Sequence, residues 1–131
     1  MTKPQITLYG ISSCDTVRKA RAWLEAHGAD ARFHDFRKDG VPEALLPLWL
    51  QHFGGQALLN RRGTTWRSLD AAVQASAQDE AGALALMRDH PAVIKRPVVH
   101  WGADTAAPLT LGFDEAFFTN AWVNACRGAA V

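Results

Sequence analysis

Long apolar runs, a charge of one sign and a supply of cysteines are all missing from this sequence. No stretch approaches the ~18 consecutive apolar residues of a membrane-spanning helix, so no span is expected. Fourteen lysines and arginines stand against thirteen aspartates and glutamates, a formal net charge of +1. That balance leaves no whole-protein field to draw in nucleic acid or an anionic membrane, and neither is expected as a partner. Any positive site must be local. The 131 residues hold two cysteines, Cys14 and Cys126, too few for a disulfide framework. They read as free thiols in a reducing cytoplasm, although spacing alone leaves a bridge between them open. The opening Met-Thr-Lys-Pro-Gln has no signal-peptide apolar stretch, which agrees with a cytoplasmic location. His27, His34, His52, His90 and His100 show no metal-ligand spacing with each other or with the cysteines. No metal and no bound cofactor are expected.

What is present suits one soluble domain with a proper core, at 48% hydrophobic and 21% charged residues. Residues 5–9 read as a strand with Ile6 and Leu8 on one face, ended by Gly10. A helix follows from about Cys14 to His27, with Val17, Ala20 and Leu24 on one stripe, Trp23 alongside, and Gly28 as a left-handed stop. Residues 31–36 alternate like a second strand, so the opening is βαβ with parallel pairing. Asp39-Gly40 makes a turn and Pro42 suits the first turn of the next helix. On that helix Leu45, Leu46, Trp49, Leu50 and Phe53 line one face up to Gly54-Gly55, and Pro47 either delays the start or kinks it. Ser76 with Asp79 resembles a capping box for a helix through Leu84 and Met87, closed by His90-Pro91. Val98-Val99 and 109–112 form an antiparallel pair joined by the loop Gly102–Pro108. Asp114 caps a last helix carrying Phe117, Phe118, Ala121 and Trp122. The expected class is α/β: a thioredoxin-like fold, βαβ then ββα in a mixed four-stranded sheet, with a helical insertion at about 40–92.

Three places carry chemistry. Cys14 begins the first helix, where unpaired N–H groups and the helix dipole favour an anion and can lower a thiol's pKa. Arg18 and Lys19 add positive charge that opposes the helix dipole, so helix stability does not explain them. Against the reading of Cys14 as small apolar filler, its setting after a strand in Ser-Ser-Cys-Asp favours a nucleophile. Val17 stands three residues on, so there is no Cys-x-x-Cys. Ala20 stands where a phosphatase Cys-x5-Arg loop needs arginine, and Arg18 and Arg21 miss that register. A single thiol resolved by an external one fits best. The second place is Ile94-Lys95-Arg96-Pro97. Proline at a strand entry can take a cis bond, and Arg96 can clamp a carboxylate bidentately, although a basic residue before a strand is more often merely solvated. The third is Asn60-Arg61-Arg62-Gly63-Thr64-Thr65-Trp66-Arg67, which fits either a small-anion site or an ordinary loop. Trp23, Trp49 and Trp122 read as packing residues, and Cys126 as a non-catalytic thiol.

Leu8 to Thr16 with Arg18-Lys19-Ala20, then Ala57 to Arg67, then Ile94 to Pro97, resemble the ArsC/Spx family in order and over nearly the full chain. Within it they are similar to the YffB branch, regarded as glutathione-dependent thiol reductases. The resemblance implies one thioredoxin-like domain over residues 1–131, with Cys14 as nucleophile, Arg96 facing it and Pro97 as the cis-proline. Arg62 and Arg18 are lesser substrate-binding residues, and glutathione or a small thiol or oxyanion is the partner. Arsenate reductases of this type place an arginine directly after Ala-Leu-Leu, where this chain has Asn60, with Arg61 or Arg62 to substitute. They place another on the last strand, where Leu109-Thr110-Leu111-Gly112 supplies none. Arsenate reduction, with glutaredoxin as a further partner, is therefore the second expectation. A regulator that binds RNA polymerase, as Spx does, is the third, and Val17 breaks the Cys-x-x-Cys that Spx-type sensing uses.

Overall fold

Ile6 and Leu8 are buried while Thr7 and Tyr9 are only half-buried along β1 (Ile6–Gly10), the period-two pattern of a strand with one face on a core. The computed structural model describes residues 3–104 and 106–129, so residues 1, 2, 130 and 131, and residue 105 of the Gly102–Pro108 loop, lie outside the described residues. The chain divides into two compact units, residues 1–35 with 96–131, and Phe36–Lys95.

In the first unit β1 runs parallel to β2 (Ala31–Asp35), with Leu8 opposite Phe33. It runs antiparallel to β3 (Val98–His100), with Leu8 opposite Val99, and β3 pairs antiparallel with β4 (Leu109–Leu111). The mixed sheet has the order β2-β1-β3-β4, so the first strand in sequence lies inside it. With α1 (Asp15–Ala26) between β1 and β2 and α7 (Glu115–Ala129) after β4, this is the thioredoxin-like arrangement. Val17, Ala20, Trp23 and Leu24 of α1 pack with Ile6, Leu8, Val99, Trp101 and Phe118. Phe118 meets the rings of Trp23, Trp101 and Phe113 edge-on, at centroid distances of 5.4, 5.0 and 4.8 Å, the favoured aromatic geometry. Gly28, at φ 69°, ends the turn after α1, and Asp114 Oδ1 accepts from the Ala116 N–H at 2.8 Å to open α7.

Two expectations for this unit need correction. β2 does not alternate: Ala31 and Arg32 are exposed, Phe33 and His34 half-buried and Asp35 buried. It is an edge strand, and Arg21 covers the Phe33 ring with its guanidinium at 4.2 Å. Phe117 does not face the core with Phe118 but is 37% exposed, because consecutive helical residues point about 100° apart.

The second unit is helical: α2 (Leu46–Phe53), α3 (Gly55–Leu58), α4 (Thr64–Arg67), α5 (Ala71–Ser76), α6 (Glu80–Asp89) and a 3₁₀ turn at Pro91–Val93. Leu46, Trp49, Leu58, Met87, Val93 and Ile94 are almost wholly buried. An antiparallel bridge joins Leu59 to Ile94, and the Lys95 N–H donates to the Leu58 carbonyl at 2.7 Å. The segment read as about 40–92 thus occupies Phe36–Lys95. Pro42 lies before the helix and Pro47 sits in its first turn, so Pro47 delays the start instead of kinking the helix. The cap of α6 is Asp79, whose Oδ1 accepts from the Gly82 N–H at 2.6 Å. Ser76 closes α5 and donates to the Val73 carbonyl, so the capping box is corrected to a single aspartate cap.

Gly10, the last residue of β1, lets α1 approach the strand closely. A Cβ built on it would lie 2.6 Å from Cγ2 of Val17, itself fully buried in the first turn of α1. The close approach of strand and helix sets where the turn between them can run. Gly10→Ala is expected to destabilise the protein by about 1–3 kcal/mol, the usual cost of overpacking. The check is a lower urea midpoint with an unchanged slope.

Candidate active site

The chain leaves β1 through Ile11-Ser12-Ser13 and turns at Cys14, whose N–H donates to the Ile11 carbonyl at 3.1 Å. Cys14 is the residue before α1, with extended dihedrals of φ −81° and ψ 125°. Its own carbonyl accepts the first helical bond, from the Arg18 N–H at 3.0 Å. A residue in this place has its side chain near the N–H groups two and three positions on, here Thr16 and Val17. The neutral thiol makes no close capping bond, but both N–H groups act on it as donors that favour the anion. The thiol is half-buried against the core cluster of its unit.

The second component comes from far along the sequence but from the same unit. Arg96 directly precedes β3, the Arg96–Pro97 peptide bond is cis, and the Pro97 carbonyl accepts from the Gly112 N–H at 2.8 Å. The half-buried guanidinium of Arg96 hydrogen-bonds to the Cys14 thiol, and its charge adds to that bond. Burial pushes the thiol up, since an anion is costly away from water. The Val17 N–H, the Arg96 hydrogen bond and charge, and the Thr16 N–H together overcome burial, so the thiol lies below its ordinary value.

The other residues singled out in the sequence fare differently. Arg18 and Lys19 are exposed, and the charge acting on the thiol comes from Arg96 instead. Arg18 is paired with Asp15, Nη2 to Oδ1 at 2.6 Å. Arg62 is exposed in the second unit, in a turn where the Gly63 N–H donates to the Asn60 carbonyl at 3.2 Å. Beside it Arg61 lies over the Trp66 ring at 5.3 Å. Lys95 is exposed. Cys14 and Cys126 are both free thiols, so they do not form the bridge that spacing left open. Among the described residues no group of three or more His, Cys, Asp or Glu could hold a metal ion, and no helix is long and apolar enough to cross a membrane. Sequence reasoning did not single out the Thr16 and Val17 N–H groups. Their only sequence signal is their distance from a helix-capping position.

Residues 9–120 match the ArsC family. The chain belongs to that family. The chain is 44% identical over 94 residues to an uncharacterized protein of Haemophilus influenzae, covering 72% of this chain and 82% of that one. A solved structure named YffB protein is 41% identical with a TM-score of 0.81, over 89% of this chain and 98% of the other. An arsenate reductase (ArsC) related protein from Brucella melitensis is 40% identical with a TM-score of 0.70, over 92% and 96%. The global transcriptional regulator Spx of Streptococcus pneumoniae is 28% identical over 112 residues, 84% of this chain and 80% of that protein. Here, then, an ArsC-family fold carries a lowered thiol with an arginine against it, an arrangement that favours nucleophilic attack by sulfur.

Arg96→Met should raise the Cys14 thiol, because a donor and a cation that favour the anion are both removed while burial still opposes it. Near neutral pH the thiolate fraction falls. Alkylation of Cys14 by iodoacetamide is expected to slow roughly tenfold, the equivalent of one charge-assisted hydrogen bond. The measurement is the alkylation rate against pH, whose midpoint moves upward in the variant.

Proposed function

We propose that this ArsC-family protein is a glutathione-dependent thiol–disulfide oxidoreductase that works with one nucleophilic cysteine in the reducing cytoplasm. The observation that carries the reading is the combination at Cys14. The thiol is held below its ordinary value by the Val17 and Thr16 N–H groups and Arg96, and valine stands where a resolving cysteine would be. In the first step the Cys14 thiolate attacks the glutathione sulfur of a mixed disulfide. The Cys14–glutathione disulfide forms, the old disulfide breaks, and the substrate leaves as a thiolate that takes a proton from water. A second glutathione thiolate then attacks the glutathione sulfur bound to Cys14. Oxidised glutathione leaves and the Cys14 thiolate returns, so the mixed disulfide is exchanged for oxidised glutathione and one glutathione thiol is consumed for each substrate thiol released. Arg96 orients a negative group of the substrate, as a planar fork suits a carboxylate.

Arsenate is the second reading, favoured by the relative from Brucella melitensis named as related to arsenate reductase. It asks for more concentrated positive charge, and Leu109-Thr110-Leu111 of β4 supplies no arginine. Regulation in the manner of the Spx proteins rests on the lower identity of 28%.

The test is incubation of the reduced protein with a glutathionylated peptide and glutathione. A Cys14–glutathione adduct by mass spectrometry and turnover lost in Cys14→Ser are expected. Arsenate turnover coupled to glutathione and glutaredoxin, lost in Cys14→Ser, would replace this reading with the second. Recovery of RNA polymerase subunits on immobilised Cys14→Ala, with no adduct at Cys14 in the parent, would replace it with the regulator.

A further inference from the structure

The face of the sheet turned away from α1 carries polar side chains in register. Ile6 and Leu8 of β1 pack into the core with α1, so Thr7 and Tyr9 lie on the other face. Thr7 stands opposite Arg32 of β2 and His100 of β3, and Tyr9 stands opposite His34. The Tyr9 ring packs on both imidazoles, with 5.1 Å between centroids in each case. Beside this row is a cavity of about 460 Å³, lined by Gln5, Thr7, Tyr9, Asp30, Arg32 and Ala103. Its volume is in the range of small-molecule sites. Gln5 precedes β1 and Ala103 follows β3, whereas Cys14 follows β1 and Arg96 precedes β3. The cavity therefore reaches the end of the sheet opposite the thiol.

Two of the lining side chains are charged, with opposite sign. Asp30 and Arg32 are two residues apart where the chain enters β2, a spacing that puts both on one face of an extended segment. Both are exposed, and among the described residues neither side chain has an ion pair or a hydrogen bond. Burial pushes the Tyr9 phenol up, against the pull of the nearby Arg32 charge. The phenol is thus neutral near neutral pH and is no counter-ion for Arg32. The cavity holds one positive and one negative charge that do not neutralise each other, among neutral polar groups. A lone anion would meet Asp30, and a lone cation would meet Arg32. A small zwitterion complements both at once.

We propose that this cavity binds a small zwitterion of the α-amino acid class, its carboxylate on Arg32 and its ammonium group on Asp30. The planar guanidinium fork suits a carboxylate, and the Thr7 hydroxyl and Gln5 amide offer hydrogen bonds beside it. The site is separate from the thiol and does not depend on how Cys14 reacts. Solvent screens both exposed charges, so binding is weak, with a Kd on the order of 1 mM.

Three probes separate the ligand's charges: L-alanine, N-acetyl-L-alanine without the ammonium group, and L-alaninamide without the carboxylate. Titrated into isotope-labelled protein, L-alanine is expected to shift the amide NMR signals of Thr7, Tyr9, Arg32 and Ala103 saturably. Each blocked probe should bind roughly three- to fivefold more weakly, the worth of one exposed charge interaction. Asp30→Asn should abolish the difference between L-alanine and N-acetyl-L-alanine, and Arg32→Gln the difference between L-alanine and L-alaninamide. Both positions are exposed, so the remaining signals should stay in place and report an intact fold. The proposal is overturned if L-alanine gives no saturable shift up to its solubility. Equal affinity for either blocked probe also overturns it, since the cavity then takes a lone charge. Shifts centred on Cys14 and Arg96 overturn it as well, by placing the ligand at the thiol.

Discussion

Burial and ionisation pull against each other at Cys14, and the chemistry of this protein depends on how that opposition resolves. Seating the sulfur against the core cluster gives it a fixed position and raises its pKa. The same partial burial lowers the local dielectric, so each donor aimed at the sulfur counts for more than it would in water. Two backbone N–H groups and one arginine suffice under those conditions. Arg18 and Lys19 carry the same charge as Arg96 but are exposed, and the cation that acts on the sulfur is Arg96, distant in sequence.

The geometry is a product of the sheet order. β1 is an inner strand, so the chain leaving its end emerges beside the entry to β3, its antiparallel neighbour. Tyr9, near the end of β1, pairs with Val98 at the start of β3. Cys14 follows the first and Arg96 precedes the second, and their meeting follows from strand pairing. Val17 supports the arrangement twice: its side chain fills the space beside Gly10, and its N–H acts on the sulfur.

Where a local signal and the tertiary structure agree, the sequence was a sufficient guide. The α1 stripe, the glycine after it, the aspartate before α7 and the βαβ then ββα order were all legible because each depends on near neighbours in the chain. The failures have a common origin in competition. Two prolines bid for the start of α2, and Pro47 won because its missing N–H falls among those a first turn leaves unpaired. Ser76 and Asp79 bid for one cap, and the aspartate three residues before Gly82 had the geometry. The exposed start of β2 reflects its place at the sheet edge, a fact absent from five residues of sequence. Cys14 was legible from its turn, whereas Arg96 looked like an ordinary cation until the family resemblance raised it.

The donor set also bears on what the thiol can do. Thr16 and Val17 supply backbone N–H groups that belong to the first turn of α1. Arg96 differs, since its guanidinium gains most from the sulfur when the sulfur is charged. In the proposed reaction that charge is gone once a substrate sulfur bonds to Cys14, and the arginine becomes available to a carboxylate carried by the newcomer. One cation can therefore serve the nucleophile before attack and the adduct after it, without a second cysteine or a second arginine. In the proposed reaction that economy suits a small thiol carrying a carboxylate, whereas a doubly charged oxyanion would ask for more positive charge than one guanidinium supplies.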